Sequence, residues 1–190
     1  ALTGAARRQA QRGIQMIFQD PYDALPPRMT VGRIVEEPLR IHHLAANRDE
    51  RRARVERALE QVGLTPASGF VERRPGELSG GQRQRVALAS ALAAEPRILL
   101  ADEPVAMLDV SLKAEILHLL VDLARDADLA VLLVTHDLAT VGSVAQRVAV
   151  MQAGRIVEHG TSAQVLRQPV TDYTRQLLAA ARDLTLVGAG

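Results

Sequence analysis

The sequence holds 190 residues, 47% of them hydrophobic, a length that suits one domain with a sizeable core. With 23 basic against 22 acidic side chains, two tyrosines, two phenylalanines and no tryptophan, it lacks the electrostatics and stacking platforms of a nucleic-acid binder. It has no cysteine for disulfides or thiolate metal sites, no apolar signal-peptide region, and no uncharged apolar run near the ~18 residues a spanning helix needs.

Residues 1–12 are small, polar and basic, and predict no element. Ile14–Phe18 reads as a short strand that ends at Gln19-Asp20-Pro21. The stretch from Asp20 to Arg28 holds three prolines and is not regular helix. Thr30 caps a helix with Val31, Ile34, Val35 and Leu39 on its apolar face, and Pro38 disturbs its last turn. His42 and His43 lack partners at metal-ligand spacing and read as surface or local packing. Asn47 opens a second helix with i,i+4 pairs Glu50–Arg54 and Arg52–Glu56, an apolar side of Val55, Leu59 and Val62, and Gly63 at its end. Residues 64–77 form a Pro, Gly and Arg-rich loop. Residues 30–95 thus make a mostly helical insertion in an α/β core.

The most informative stretch follows. Leu78-Ser79-Gly80-Gly81-Gln82 is a Gly-rich turn that opens a helix. Ser79 can cap it, and Gly80 and Gly81 let backbone N–H groups approach an anion. After a helix to Ala94, Ile98–Ala101 reads as a buried strand delivering Asp102 and Glu103 at its C-terminal end, where ligands of α/β sheets sit. Adjacent side chains diverge in an extended segment, so the two carboxylates can divide the work. One can hold Mg²⁺; the other can orient or deprotonate a water. The plainer reading, a solvated acidic loop end, loses ground to this sequence context. Asp109 lies on the loop beyond, and Ser111 can cap the next helix, which runs through Leu123. Leu129–Val134 is a continuous apolar run suited to a central parallel strand, ending in Thr135-His136-Asp137. His136 by itself is either a capping or core histidine or a ligand-facing one. A hairpin around Ala153-Gly154 follows, then a short helix capped by Thr161, and a last helix over Tyr173–Ala181 with a loose tail after Thr185.

The order of these motifs resembles the ATP-binding cassette (ABC) ATPases: Leu78–Gln82 is similar to their signature and Ile98–Glu103 to their Walker B strand. The resemblance implies ATP and Mg²⁺ as ligands, with Asp102 and Gln19 at the metal. It implies Glu103, His136 and Gln19 as catalytic residues, with His136 on the γ-phosphate. Ser79, Gly80, Gly81, Gln82 and Asp109 would contact nucleotide. Gln19-Asp20-Pro21-Tyr22, Pro27–Val31, the form LSGGQRQRV and Pro169–Leu178 resemble the oligopeptide, dipeptide and nickel importers. Departures occur at Val105, Ala106-Met107, Ser90 (usually Arg) and Thr171-Asp172 (usually His-Pro). Partners implied are a second ABC ATPase subunit, closing head to tail, and membrane permease subunits docking near residues 20–30. No nucleic acid is implied. The place implied is peripheral, on the cytoplasmic face of the membrane.

No G-x-x-x-x-G-K-[ST] pattern occurs, and the one lysine, Lys113, follows no glycine loop. The expectation is therefore a P-loop NTPase-type ABC core that is incomplete, lacking the N-terminal β region and P-loop. Residues 1–190 would be a partial nucleotide-binding domain, 30–95 a helical signature subdomain, and 160–190 a C-terminal extension. The chain is read as the C-terminal part of a longer ATPase, inactive alone. The alternatives are a non-catalytic interaction remnant and a soluble, non-transport ABC ATPase.

Overall fold

The computed structural model describes residues 4–19 and 25–187. They fall into two compact units, one ending at Val134 and one starting at Thr135. The Tyr22 part of the proline-rich turn lies outside the described residues.

The first unit opens with α1 (Gly4–Gly13), where the sequence predicts no element. Part of what fixes it is tertiary: Arg12 donates to the Ala94 carbonyl and pairs with Glu95 at 3.1 Å. Then comes β1 (Ile14–Ile17), the shortened form of the expected strand. Among the described residues between it and β2 (Ile98–Asp102) lie three helices, α2 (Val31–Ile41), α3 (Arg48–Gln61) and α4 (Gly80–Ala93), with single 3₁₀ turns at Ala67–Gly69 and Pro75–Glu77. The caps are as predicted for all three: Thr30 accepts from the Arg33 amide, Asn47 from the Glu50 amide, and Ser79 from the Gln82 amide. The apolar faces of α2 and α3 are buried, including Val35, Leu39, Leu59 and Val62. Both predicted i,i+4 ion pairs of α3 form. The open amides at the start of α2 are met by the loop at 71–73: Val31 donates to the Arg73 carbonyl and Gly32 to the Val71 carbonyl. Gly32 is required there, because a Cβ would come within 2.6 Å of Val71 Cγ1. Pro38 does not end α2, which runs on to Ile41.

The sheet has the order β1-β2-β3, all parallel, with β3 at Ala130–Val134. The Leu129–Val134 run therefore lies at an edge of the described sheet; the central strand is β2. Burial alternates along it. Leu99 and Ala101 are 0% and 1% exposed, whereas Leu132, which shares the opposite face with Leu100 and Met16, is 58% exposed. That opposite face carries Ile14, Met16, Ile98, Leu132 and Val134, all exposed. The expected fully buried strand is thus a strand with one buried face. A long helix, α5 (Val110–Asp126), links β2 to β3, buries Ile116, Leu117, Leu120 and Leu123, and is capped by Asp109 rather than Ser111.

The second unit contains α6 (Leu138–Val144), the hairpin β4 (Arg147–Gln152) and β5 (Arg155–Thr161), α7 (Ser162–Arg167) and α8 (Asp172–Val187). The hairpin turn has φ of 47° at Ala153 and 76° at Gly154, the left-handed pair that suits the right-handed strand twist. Thr161 and Gln164 form a reciprocal capping box on α7. The last helix extends beyond the predicted Ala181 to Val187. Among the described residues no helix is long and apolar enough to cross a membrane.

Candidate functional site

Parallel pairing puts the C-terminal ends of all three strands at one edge of the sheet. Ile17 pairs with Ala101, so Gln19, two residues past Ile17, leaves the sheet at the same edge as Asp102 and Glu103. Gln19 is exposed on a bend, and Asp102 and Glu103 are half-buried. The Glu103 amide donates to the Val134 carbonyl at 2.9 Å, so the strand pairing reaches past Asp102. Its backbone then turns left-handed, with φ of 45°. Glu95 and Asp128 also have positive φ, but each lies just past a helix C-terminus, where such a turn is ordinary. At Glu103 the chain leaves the central strand in a conformation costly for a side chain of this type, and such outliers concentrate at functional sites. The turn closes with the Ala106 amide donating to the Glu103 carbonyl.

A second group forms around the start of α4. Ser79 Oγ accepts from the Gln82 amide at 3.2 Å, and Gln82 Oε1 accepts from the Ser79 amide at 3.0 Å. This box consumes the Ser79 and Gln82 amides and leaves those of Gly80 and Gly81 to face an anion at the helix N-terminus. Arg83 donates twice to the Leu78 carbonyl and fixes the approach. Asp109 belongs to the same neighbourhood. A Cβ on Gly80 would contact Leu108, and one on Gly81 would meet Leu112 Cδ2 at 3.0 Å. Leu108 and Leu112 flank Asp109, whose Oδ1 accepts from the Leu112 amide at 3.0 Å and the Ser111 hydroxyl at 2.7 Å. These bonds, the Leu112 amide first, hold the Asp109 carboxyl below its usual pKa. Asp109 is thus a structural cap as well as a candidate nucleotide contact. Sequence reasoning missed Leu108, Leu112 and Arg83. Leu108 and Leu112 look like ordinary core residues, and nothing in the sequence separates Arg83 from Arg85.

His136 lies in the second unit, exposed, in the bend between β3 and α6. Its loop is fixed locally: the Asp137 amide donates to Thr135 Oγ1, and Asp137 accepts from the amide and hydroxyl of Thr140.

Among the described residues no three His, Asp or Glu side chains gather as a metal cage. A carboxylate and an amide side chain at the same sheet edge, Asp102 and Gln19, suit Mg²⁺ bound mainly by waters and phosphate oxygens. The open amides of Gly80 and Gly81 suit a phosphate. The residues present therefore fit Mg-ATP.

Comparison with known proteins bears on the rest. The family model for ABC transporters matches residues 1–106, more than half of the chain. The chain is 46% identical over 174 residues to the peptidoglycan transport ATP-binding protein YejF of Agrobacterium fabrum, covering 92% of this chain and 32% of that protein. It is 50% identical over 170 residues to the glutathione import ATP-binding protein GsiA of Escherichia coli K12, covering 90% of this chain and 27% of that protein. The chain thus spans about a third of the length of these curated relatives or less. Among solved structures, cbiO1 of Clostridium perfringens, part of the ABC transporter complex cbiONQ, superposes with a TM-score of 0.78 at 29% identity, over 97% of this chain and 71% of that one. The ATP-binding cassette MJ0796, a dimer bound to ADP and Pi, superposes with a TM-score of 0.72 at 32% identity, over 85% and 68%.

These matches correct the expectation of an incomplete core and of a C-terminal fragment, inactive alone or acting only as a remnant. The ABC transporter model matches residues 1–106, and the solved cassettes superpose over 85% and 97% of this chain. The expectation rests on a missing phosphate-loop pattern and a missing N-terminal β region, whereas the likeness rests on the sequence match and the course of the chain. Lack of that pattern in these 190 residues carries no conclusion about activity. The chain belongs to the ABC transporter family.

Proposed function

We propose that the chain is the ATP-binding and ATP-hydrolysing part of an ABC importer that takes up peptide-type solutes. The observation that supports this best is Glu103, held left-handed directly after Asp102 at the end of the central strand. When bound, Mg²⁺ supplies charge neutralisation at the phosphate oxygens, with Asp102 and Gln19 as its protein ligands. Glu103 accepts a proton from the water that attacks the γ-phosphorus; the bond to the β-phosphate oxygen breaks, and ADP and phosphate leave. His136 donates to the γ-phosphate. Ser79, Gly80 and Gly81, oriented by Gln82, bind the γ-phosphate of a nucleotide held by a second ATPase subunit, and Asp109 contacts nucleotide from the adjoining loop. Two-fold symmetry makes that contact reciprocal. Residues 30–95 act as the helical signature subdomain, and the region near residues 20–30 meets the membrane permease subunits at the cytoplasmic face. Peptide-type uptake follows from likeness to the glutathione and peptidoglycan proteins.

The test is Glu103→Gln, assayed by phosphate release from Mg-ATP and by gel filtration with ATP. Turnover is lost while ATP-bound dimers accumulate, because the base is removed and the shape kept. Near-normal phosphate release would remove Glu103 from this role.

A further inference from the structure

One carboxylate of the second unit binds the segment that opens α8. Glu158, on β5, accepts through Oε1 from the Val170 amide at 2.8 Å. Through Oε2 it accepts from the Thr171 amide at 3.0 Å and the Thr171 hydroxyl at 2.9 Å. Thr171 Oγ1 lies 2.8 Å from Thr174 Oγ1 and accepts from the Thr174 amide, and Thr174 is 1% exposed. The first turn of α8 is braced further by Arg175, which donates to the Pro169 carbonyl and to Asp172. This segment therefore arrives at Glu158 as a preformed turn with its amides aimed at one carboxylate.

A cleft of about 210 Å³ lies between α7 and α8, lined by Leu166, Arg167, Pro169, Arg175, Leu178 and Ala179. Helices separated by such a space forgo much of the dispersion contact that close packing provides. Among the described residues, the bonds that tie the segment opening α8 to the hairpin are charge-assisted, and such bonds are individually stronger than neutral ones. The Val170 amide first, then the Thr174 hydroxyl and the Thr171 amide, pull the Glu158 carboxyl down to about 2, so it is ionised at neutral pH.

We propose that Glu158 is the latch of a C-terminal strap: it holds α8 to the β4–β5 hairpin by the first turn, and α8 leaves and returns as a unit when that contact breaks. Such local opening is a cooperative event separate from global unfolding. The proposal does not depend on the ATPase reading, because its test reads exchange and not turnover.

Amide hydrogen exchange by mass spectrometry on the whole chain tests it. Glu158→Gln keeps the shape and removes the charge. It is expected to speed exchange of amides 170–181 roughly tenfold or more, the worth of a charge-assisted hydrogen bond. The hairpin at 147–161 and the first unit keep their protection. Thr171→Val, which removes only the hydroxyl, gives a smaller increase in the same amides. Unchanged exchange of α8 in both variants would overturn the latch. So would equal loss of protection in hairpin and helix, which would make them one cooperative block.

Discussion

Pro38 sits inside α2, where its ring nitrogen has no hydrogen to give the Ile34 carbonyl four residues back. Ser90 of α4 fills the gap: its hydroxyl donates to the Ile34 carbonyl at 3.2 Å. Ser90→Ala removes that donor. A neutral hydrogen bond contributes about 1 kcal/mol, and a buried carbonyl without a donor costs about 1–3 kcal/mol. Alanine returns roughly 0.5 kcal/mol in helix propensity. The net loss should be about 1 kcal/mol, a fall of roughly 2–4 °C in melting temperature for a chain of this size. In a Pro38→Ala background the amide of residue 38 can serve the Ile34 carbonyl, so Ser90→Ala should cost nothing there. Urea unfolding of the parent, both single variants and the double variant, followed by far-UV circular dichroism, gives the coupling directly. A coupling below about 0.3 kcal/mol would refute the reasoning, because Ser90 would then stabilise the helices by another route.

Three further outcomes are expected. The Glu158 carboxyl is lowered from 4.5 to about 2 in the folded chain, so its stabilisation is complete above pH 4.5 and is lost as pH falls toward 2. Exchange protection of α8 measured across that window should fall in the parent and stay flat in Glu158→Gln; a flat parent profile would contradict the assignment. Gly63→Ala should destabilise by about 1 kcal/mol or more, because Gly63 has φ of 76° and a Cβ would lie 2.8 Å from Arg85 Nη1; an unchanged melting temperature would refute this. Asp109→Ala should lower the melting temperature by uncapping α5, and Asp109→Ser should recover most of it, since serine also caps; equal loss in both would show that the cap is not what matters.

Local chemistry was legible in the sequence wherever it acts over a few residues. Thr30, Asn47, Ser79 and Thr161 were readable as caps because a side-chain oxygen reaches an amide only two or three residues on. The Ala153-Gly154 turn and the apolar faces of α2 and α3 follow from equally short periods. The order of Ser79–Gln82, Asp102-Glu103 and Asp109 along the chain sufficed to suggest the family and its phosphate chemistry.

What joins distant segments was not legible. The α1 helix needs Arg12 to find Ala94 and Glu95, and a basic stretch alone carries no sign of that. Asp109 rather than Ser111 caps α5, because both are good caps and only the course of the loop chooses between them. Pro38 looks like a helix breaker until Ser90 is seen to supply the missing donor. The run Ile98–Ala101 is apolar throughout, which cannot tell one buried face from two; its neighbours decide that. The sequence by itself determined the caps, the periodicities and the chemical identity of the carboxylates, all properties of adjacent residues. Only the tertiary structure decided which strand is central, which residues brace Gly80 and Gly81, and how Glu103 leaves the sheet, because each depends on contacts between segments far apart in the chain.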